Sequence, residues 1–188
     1  MTLKKITGSL RQFRVYHKVV GLSLVLFVLV SATTGILLSL KKEVALLQPP
    51  TQKGANKDLA GWKPLEELAQ TAIEGLVLAQ PDQAGNTIDR MDVRPSKGIV
   101  KILFENGWWE VQVDGTTGAV LSVAKRHSDW IEALHDGSII SDWFKLISMN
   151  FLGLGLLIML ITGVWLWYGP KRYRKLKRVS STNRLGEK

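Results

Sequence analysis

Apolar residues gather in two blocks. Residues 19–40 (VVGLSLVLFVLVSATTGILLSL) and 147–168 (ISMNFLGLGLLIMLITGVWLWY) each run 22 residues without a charge. About 20 apolar residues, rising 1.5 Å each, cross ~30 Å of hydrocarbon. Each block therefore predicts a transmembrane helix. The competing reading of the first block is a cleaved signal peptide. A signal core is usually about 7–15 residues and ends at a small-residue cleavage site. Leu40-Lys41-Lys42-Glu43 offers no such site, so an uncleaved anchor is expected.

Between the blocks the period changes. Residues 48–57, QPPTQKGANK, are polar and rich in turn formers, and read as a linker. From Trp62, Leu65, Leu68, Ala69, Ala72, Ile73 and Leu76 recur at helical spacing. Pro64, Glu66 and Glu67 suit the start of that helix. Residues 99–104 (IVKILF) are β-rich, and Asn106-Gly107 signals a hairpin. Trp109, Val111 and Val113 alternate with Glu110 and Gln112, the pattern of a half-buried strand. Residues 114–118 (DGTTG) make a turn into a strand at 119–124, and a weaker strand lies at 88–93. The expected fold is a membrane protein of α+β class, with two transmembrane helices flanking a small domain of one helix on an antiparallel sheet. Its parts are a basic N-terminus (1–18), the first span (19–40), a linker (41–60), the domain (61–126), an interfacial segment (127–142), the second span (143–168) and a basic tail (169–188).

Charge orients this layout. Residues 1–18 carry five basic residues and no acid, and the tail carries eight basic residues against Glu187 alone. Residues 41–142 hold 11 Lys and Arg against 15 Asp and Glu, a net −4. Basic flanks stay on the cytoplasmic side. Both termini are thus expected in the cytoplasm of a bacterial inner membrane, with the domain extracytoplasmic. The formal +9 then reflects topology signals that also touch anionic lipid. No aromatic-rich basic fold accompanies it, so nucleic acid is not an expected partner. Trp143 at one end, with Trp165, Trp167 and Tyr168 at the other, matches the aromatic belts of headgroup depth.

Cysteine is absent, which removes disulfides, thiol catalysis, thiolate metal sites and covalent haem attachment. No serine sits in a recognisable nucleophile motif. The acids of the domain, spread along strands and turns, read as a solvated face rather than a catalytic pair.

Candidate chemistry falls to the three histidines, His17, His127 and His135. His17, in RVYHKVVGLSL, stands at the lip of the first span. It is either an interfacial side chain among headgroups or, as a neutral imidazole, a metal ligand. His135, beside Asp136-Gly137, is either a surface residue or a ligand whose ring Asp136 orients. His127 follows Lys125-Arg126 in a polar run and reads as surface. On a helical wheel Gly35 falls at the angle of His17, with Gly21, Ser31 and Ser39 close by. This small-residue ladder suits contact with another helix or with a flat ligand. In the second span Ser148, Phe151, Gly155, Met159 and Thr162 make a comparable face.

Residues 113–123 (VDGTTGAVLSV) resemble the closing hairpin of the PepSY domain. HKVVG with TTGILLSL, and DWIEALHDG with ITGVWLWYGP, resemble the PepSY-associated transmembrane family, here as a minimal two-helix member. The resemblance implies non-covalent haem b, with His17 and His135 at the family's helix-start and Leu-His positions and Gly21 and Gly35 beside the cofactor. It further implies iron-linked electron transfer to an extracytoplasmic acceptor such as a ferric siderophore. The histidines flank a span about 33 Å long, so one iron cannot take both. A homodimer or larger membrane complex would pair like histidines across a twofold axis. The alternative function is a non-enzymatic, membrane-anchored binding or regulatory module, or an accessory subunit of an envelope or transport complex.

Overall fold

The structure is a computed structural model and describes residues 3–186. The chain divides into two compact units. One holds the first helix up to Thr33 together with the chain from Asp136 onward, and the other is Thr34–His135.

In the first unit, helix α1 (Leu3–Ser39) runs against the last helix, α4 (Asp142–Gly186). Both are long and apolar enough to cross a membrane. Leu10 meets Gly169, Phe13 meets Trp165, Gly21 meets Met159, Leu24 meets Gly155 and Phe27 meets Phe151. Rising numbers on α1 thus meet falling numbers on α4, an antiparallel pair. Ile6, Leu10, Phe13, His17, Val20, Leu24 and Phe27 are the inward residues of α1 here, alternating steps of three and four. This seam has a period of 3.5, that of left-handed helix pairs. Gly155 is indispensable to it, because a Cβ there would stand 2.6 Å from Leu24 Cδ1. The outward faces are apolar too, with Leu22 71% and Leu160 63% exposed. Such faces are stable against lipid.

Both helices outrun the expected spans. α1 is helical from Leu3, through the basic stretch. α4 continues past 168, through Pro170 and into the tail. Proline removes one helical N–H. The Lys, Arg and Leu that follow are good helix formers, and Tyr173 and Leu176 keep the seam partly buried. At the other end, Ser141 Oγ accepts from the Phe144 N–H at 3.1 Å and caps α4.

The second unit is the domain. Helix α2 (Leu65–Ala79) lies on a four-stranded antiparallel meander: β1 (Ile88–Arg94), β2 (Ile99–Phe104), β3 (Trp109–Asp114) and β4 (Val120–Lys125). Val100 pairs with Val113 and Ile102 with Val111, so these side chains share one face. Leu68, Ala72 and Leu76 of α2 close that face. Helix α3 (His127–Asp136) follows β4.

β3 departs from the expected half-buried strand: every residue of β2 and β3 is buried. The linker straps the polar face of the sheet. Gln112 Oε1 accepts from the Gln52 N–H at 2.8 Å, and its Nε2 donates to the Pro50 carbonyl at 3.0 Å. Asp114 Oδ2 accepts from the Ala55 N–H at 2.6 Å. Strand alternation distinguishes the two faces but does not reveal that a polar face has been covered. The Asn106-Gly107 turn also takes four residues rather than two, with Gly107 and Trp108 both left-handed at φ 78° and 59°.

Candidate functional site: two histidine–threonine pairs

Each of two histidines is held by a threonine that precedes a glycine. In the first unit, His17 on α1 places Nδ1 2.7 Å from Thr162 Oγ1 on α4. The other contacts of the threonine favour one tautomer. Its hydroxyl has one hydrogen, donated back to the carbonyl of Ile158 at 2.7 Å, with that of Met159 at 3.2 Å. Helical threonines commonly bond this way. With that hydrogen on the backbone carbonyl, Oγ1 accepts from the ring, which corresponds to the tautomer protonated at Nδ1. When the imidazole is neutral, Nε2 is left with its lone pair. The ring packs beside Gly163, where a Cβ would lie at ordinary contact distance, 3.6 Å from Cε1.

The second unit repeats the arrangement with the roles exchanged. His135, near the end of α3, places Nδ1 2.9 Å from Thr34 Oγ1 on α1. Its Cε1 lies 3.5 Å from where a Cβ of Gly35 would stand. Both rings are half-buried, and Thr34 and Thr162 are buried.

Among the sequence candidates, the structure brings His135 and Gly35 together. Gly21 instead receives Met159, whose Cε would lie 3.1 Å from a Cβ there. The small-residue ladder is thus occupied within the chain at Gly21 and Gly35. Thr162 stands on the face marked in the second span, and Thr34 in TTGILLSL, but neither was expected to hold a histidine. The signal was the repeated Thr-Gly in TTGILL and ITGVWL. His127 opens α3.

Two of the domain's acids, Glu110 and Asp114, are buried and engaged. Glu110 accepts from Lys101 Nζ at 3.0 Å, Gln112 Nε2 at 2.8 Å and Arg126 at 3.1 Å, with Lys101 and Glu110 almost wholly buried. Asp114 is buried as well, whereas Glu66, Glu67, Glu74, Asp82, Asp89 and Glu105 are exposed, the solvated acids expected from the sequence. Burial alone would raise the pKa of Asp114, but the N–H groups of Thr117, Ala55 and Thr116 hold it below the ordinary carboxylate value. Glu110 and Asp114 lock structure together and present no free carboxylate pair.

The model of the PepSY-associated TM region family matches residues 13–186, nearly the whole chain and all four residues of the two pairs. The chain belongs to this family. No curated protein matches it significantly. As a PepSY-associated protein with two membrane-crossing helices around an α+β domain, it resides in a membrane. Among the described residues, no cluster of three or more His, Cys, Asp or Glu could enclose a metal ion. Each pair offers one imidazole with its second nitrogen oriented by a threonine. That donor fits an axial ligand of haem iron, which needs only one or two imidazoles.

Proposed function

We propose that this PepSY-associated protein is a haem-binding subunit that passes electrons across the inner membrane to an extracytoplasmic acceptor such as a ferric siderophore. The observation carrying this reading is the contact of His17 Nδ1 with a Thr162 hydroxyl that also faces the Ile158 carbonyl. Thr162 takes the Nδ1–H, leaving Nε2 as a lone-pair donor, the form an iron ligand requires. Bound haem would supply one-electron chemistry. The chain's own part is to hold the imidazoles. Thr162 orients the ring of His17 beside Gly163, and Thr34 orients that of His135 beside Gly35.

Each pair contains a single imidazole, so two-imidazole ligation needs a second copy. A homodimer, with paired His17 residues at one membrane face and paired His135 residues at the other, belongs to the proposal. So does the orientation with both termini cytoplasmic, which the basic flanks support.

A second reading keeps the chain as an anchored binding or regulatory module. It is favoured by the completeness of each His–Thr bond, which could serve simply as a link between helices. Native mass spectrometry of protein expressed with ample haem separates the two. The redox reading expects a dimer carrying two haems. Haem-free protein under these conditions would sink it, and a haem-bound monomer would remove the two-copy arrangement.

A further inference from the structure

Beyond the last apolar residues of α4, Lys171, Arg174, Lys175 and Arg178 recur at spacings of three, four and seven. They share one face of the helix and, with Val179, line a shallow hollow. Tyr173 and Leu176 turn towards the partly buried seam, so the stripe is the outer face. Residues 169–179 contain six basic side chains and no acid. Among the described residues, Lys171, Arg174 and Lys175 form no ion pair.

One contact fixes the depth of this stripe. Lys171 Nζ lies 3.5 Å from the ring centroid of Trp167, one turn earlier. Trp167 is 66% exposed on the apolar, outward surface. Such an indole marks the boundary between hydrocarbon and headgroups. A cation over its face is held there by cation–π attraction. From Lys171 to Lys175 the helix rises about 6 Å, close to the thickness of the headgroup layer on one side of a bilayer.

We propose that Lys171, Arg174, Lys175 and Arg178 bind the phosphate of an anionic phospholipid, with Trp167 against its glycerol and upper acyl chains. The two sources of a phosphate differ at the indole. Free phosphate engages only the cations, whereas a lipid also engages Trp167. A lipid site at the helix end would fix the depth of α4 whether or not the chain binds haem.

The test uses the full chain purified in zwitterionic phosphatidylcholine micelles and titrated with phosphatidylglycerol. Bound lipid is counted by native mass spectrometry, and thermal unfolding is followed in parallel. Each basic residue near a membrane surface contributes about 1 kcal/mol. The K171Q/R174Q/K175Q variant should therefore bind about a hundredfold more weakly. The single variant K175Q, which leaves the fold least disturbed, should lose about fivefold. The K4Q/K5Q/R11Q variant changes net charge equally but lies on α1, and should bind like the wild type. Equal loss in that control would reduce the effect to bulk charge and overturn the site. So would unchanged binding in the triple variant, or inorganic phosphate alone reproducing the stabilisation.

Discussion

Replacing Thr162 by valine keeps the branched shape and removes the oxygen that accepts from His17. Two magnitudes follow. As a link between helices, a side-chain hydrogen bond within a membrane contributes about 0.6 kcal/mol on average and about 1.7 at most. The Ile158 carbonyl, which loses the threonine hydroxyl, is on the helical backbone and has helical N–H groups within reach. Stability should therefore fall by about 1 kcal/mol. As the group that orients a ligand, the threonine is worth more. Loss of an outer partner of a metal-binding histidine costs about 10–100-fold in affinity, or about 1.4–2.7 kcal/mol. Haemin titration followed by Soret absorbance, with thermal unfolding in the same detergent, measures both effects. T162V should bind haemin at least tenfold more weakly, and T162S, which keeps the hydroxyl, should recover. Nitrogen chemical shifts of His17 should show the proton on Nδ1 in the wild type and lose that preference in T162V. Unchanged haemin affinity in a measurably destabilised T162V would refute the argument, leaving Thr162 as a helix link alone.

Three further outcomes follow from the packing. Glu110→Ala strands the buried Lys101 and removes a partner of Arg126, so thermal unfolding should report a loss of about 3–5 kcal/mol; a loss below 1 kcal/mol would show that the cluster is solvated. Gly155→Ala drives a Cβ into Leu24 and should cost about 1–3 kcal/mol, whereas Gly163→Ala meets only His17 Cε1 at ordinary contact distance and should be tolerated; equal effects would contradict the antiparallel seam. Asp114 has a folded pKa below its ordinary 3.8, so its contribution is complete above that value and fades as pH falls through the folded pKa. Asp114→Asn should accordingly flatten acid destabilisation below pH 3.8, and an unaltered acid limb would contradict the carboxylate's role.

The spans were legible because a charge-free run of 22 residues has few other uses. The helix and strands of the domain were legible from their periods. What the sequence hid depended on partners distant along the chain. Glu110 and Gln112 looked solvated because alternation cannot show the linker returning over them. The wheel drawn at 3.6 residues per turn aligned His17 with Gly35. The helix pair instead follows a 3.5 repeat through His17, while Gly35 and its neighbour Thr34 meet His135 of α3. The histidines were visible by ligand chemistry, but the threonines holding them were not, since threonine in an apolar helix is ordinarily a packing residue. The basic tail read as a topology signal in general contact with anionic lipid, and nothing in its composition shows that Lys171 stacks on Trp167.

The central claim, that His17 and His135 are iron ligands, is tested most directly by the absorbance spectrum of purified, haem-loaded protein and its histidine variants. The account predicts a Soret band of six-coordinate low-spin haem in the wild type. His17→Ala and His135→Ala should each lose one of the two sites, and the double variant should be colourless. A wild type that takes up no haem, or a double variant that keeps the full band, would contradict it.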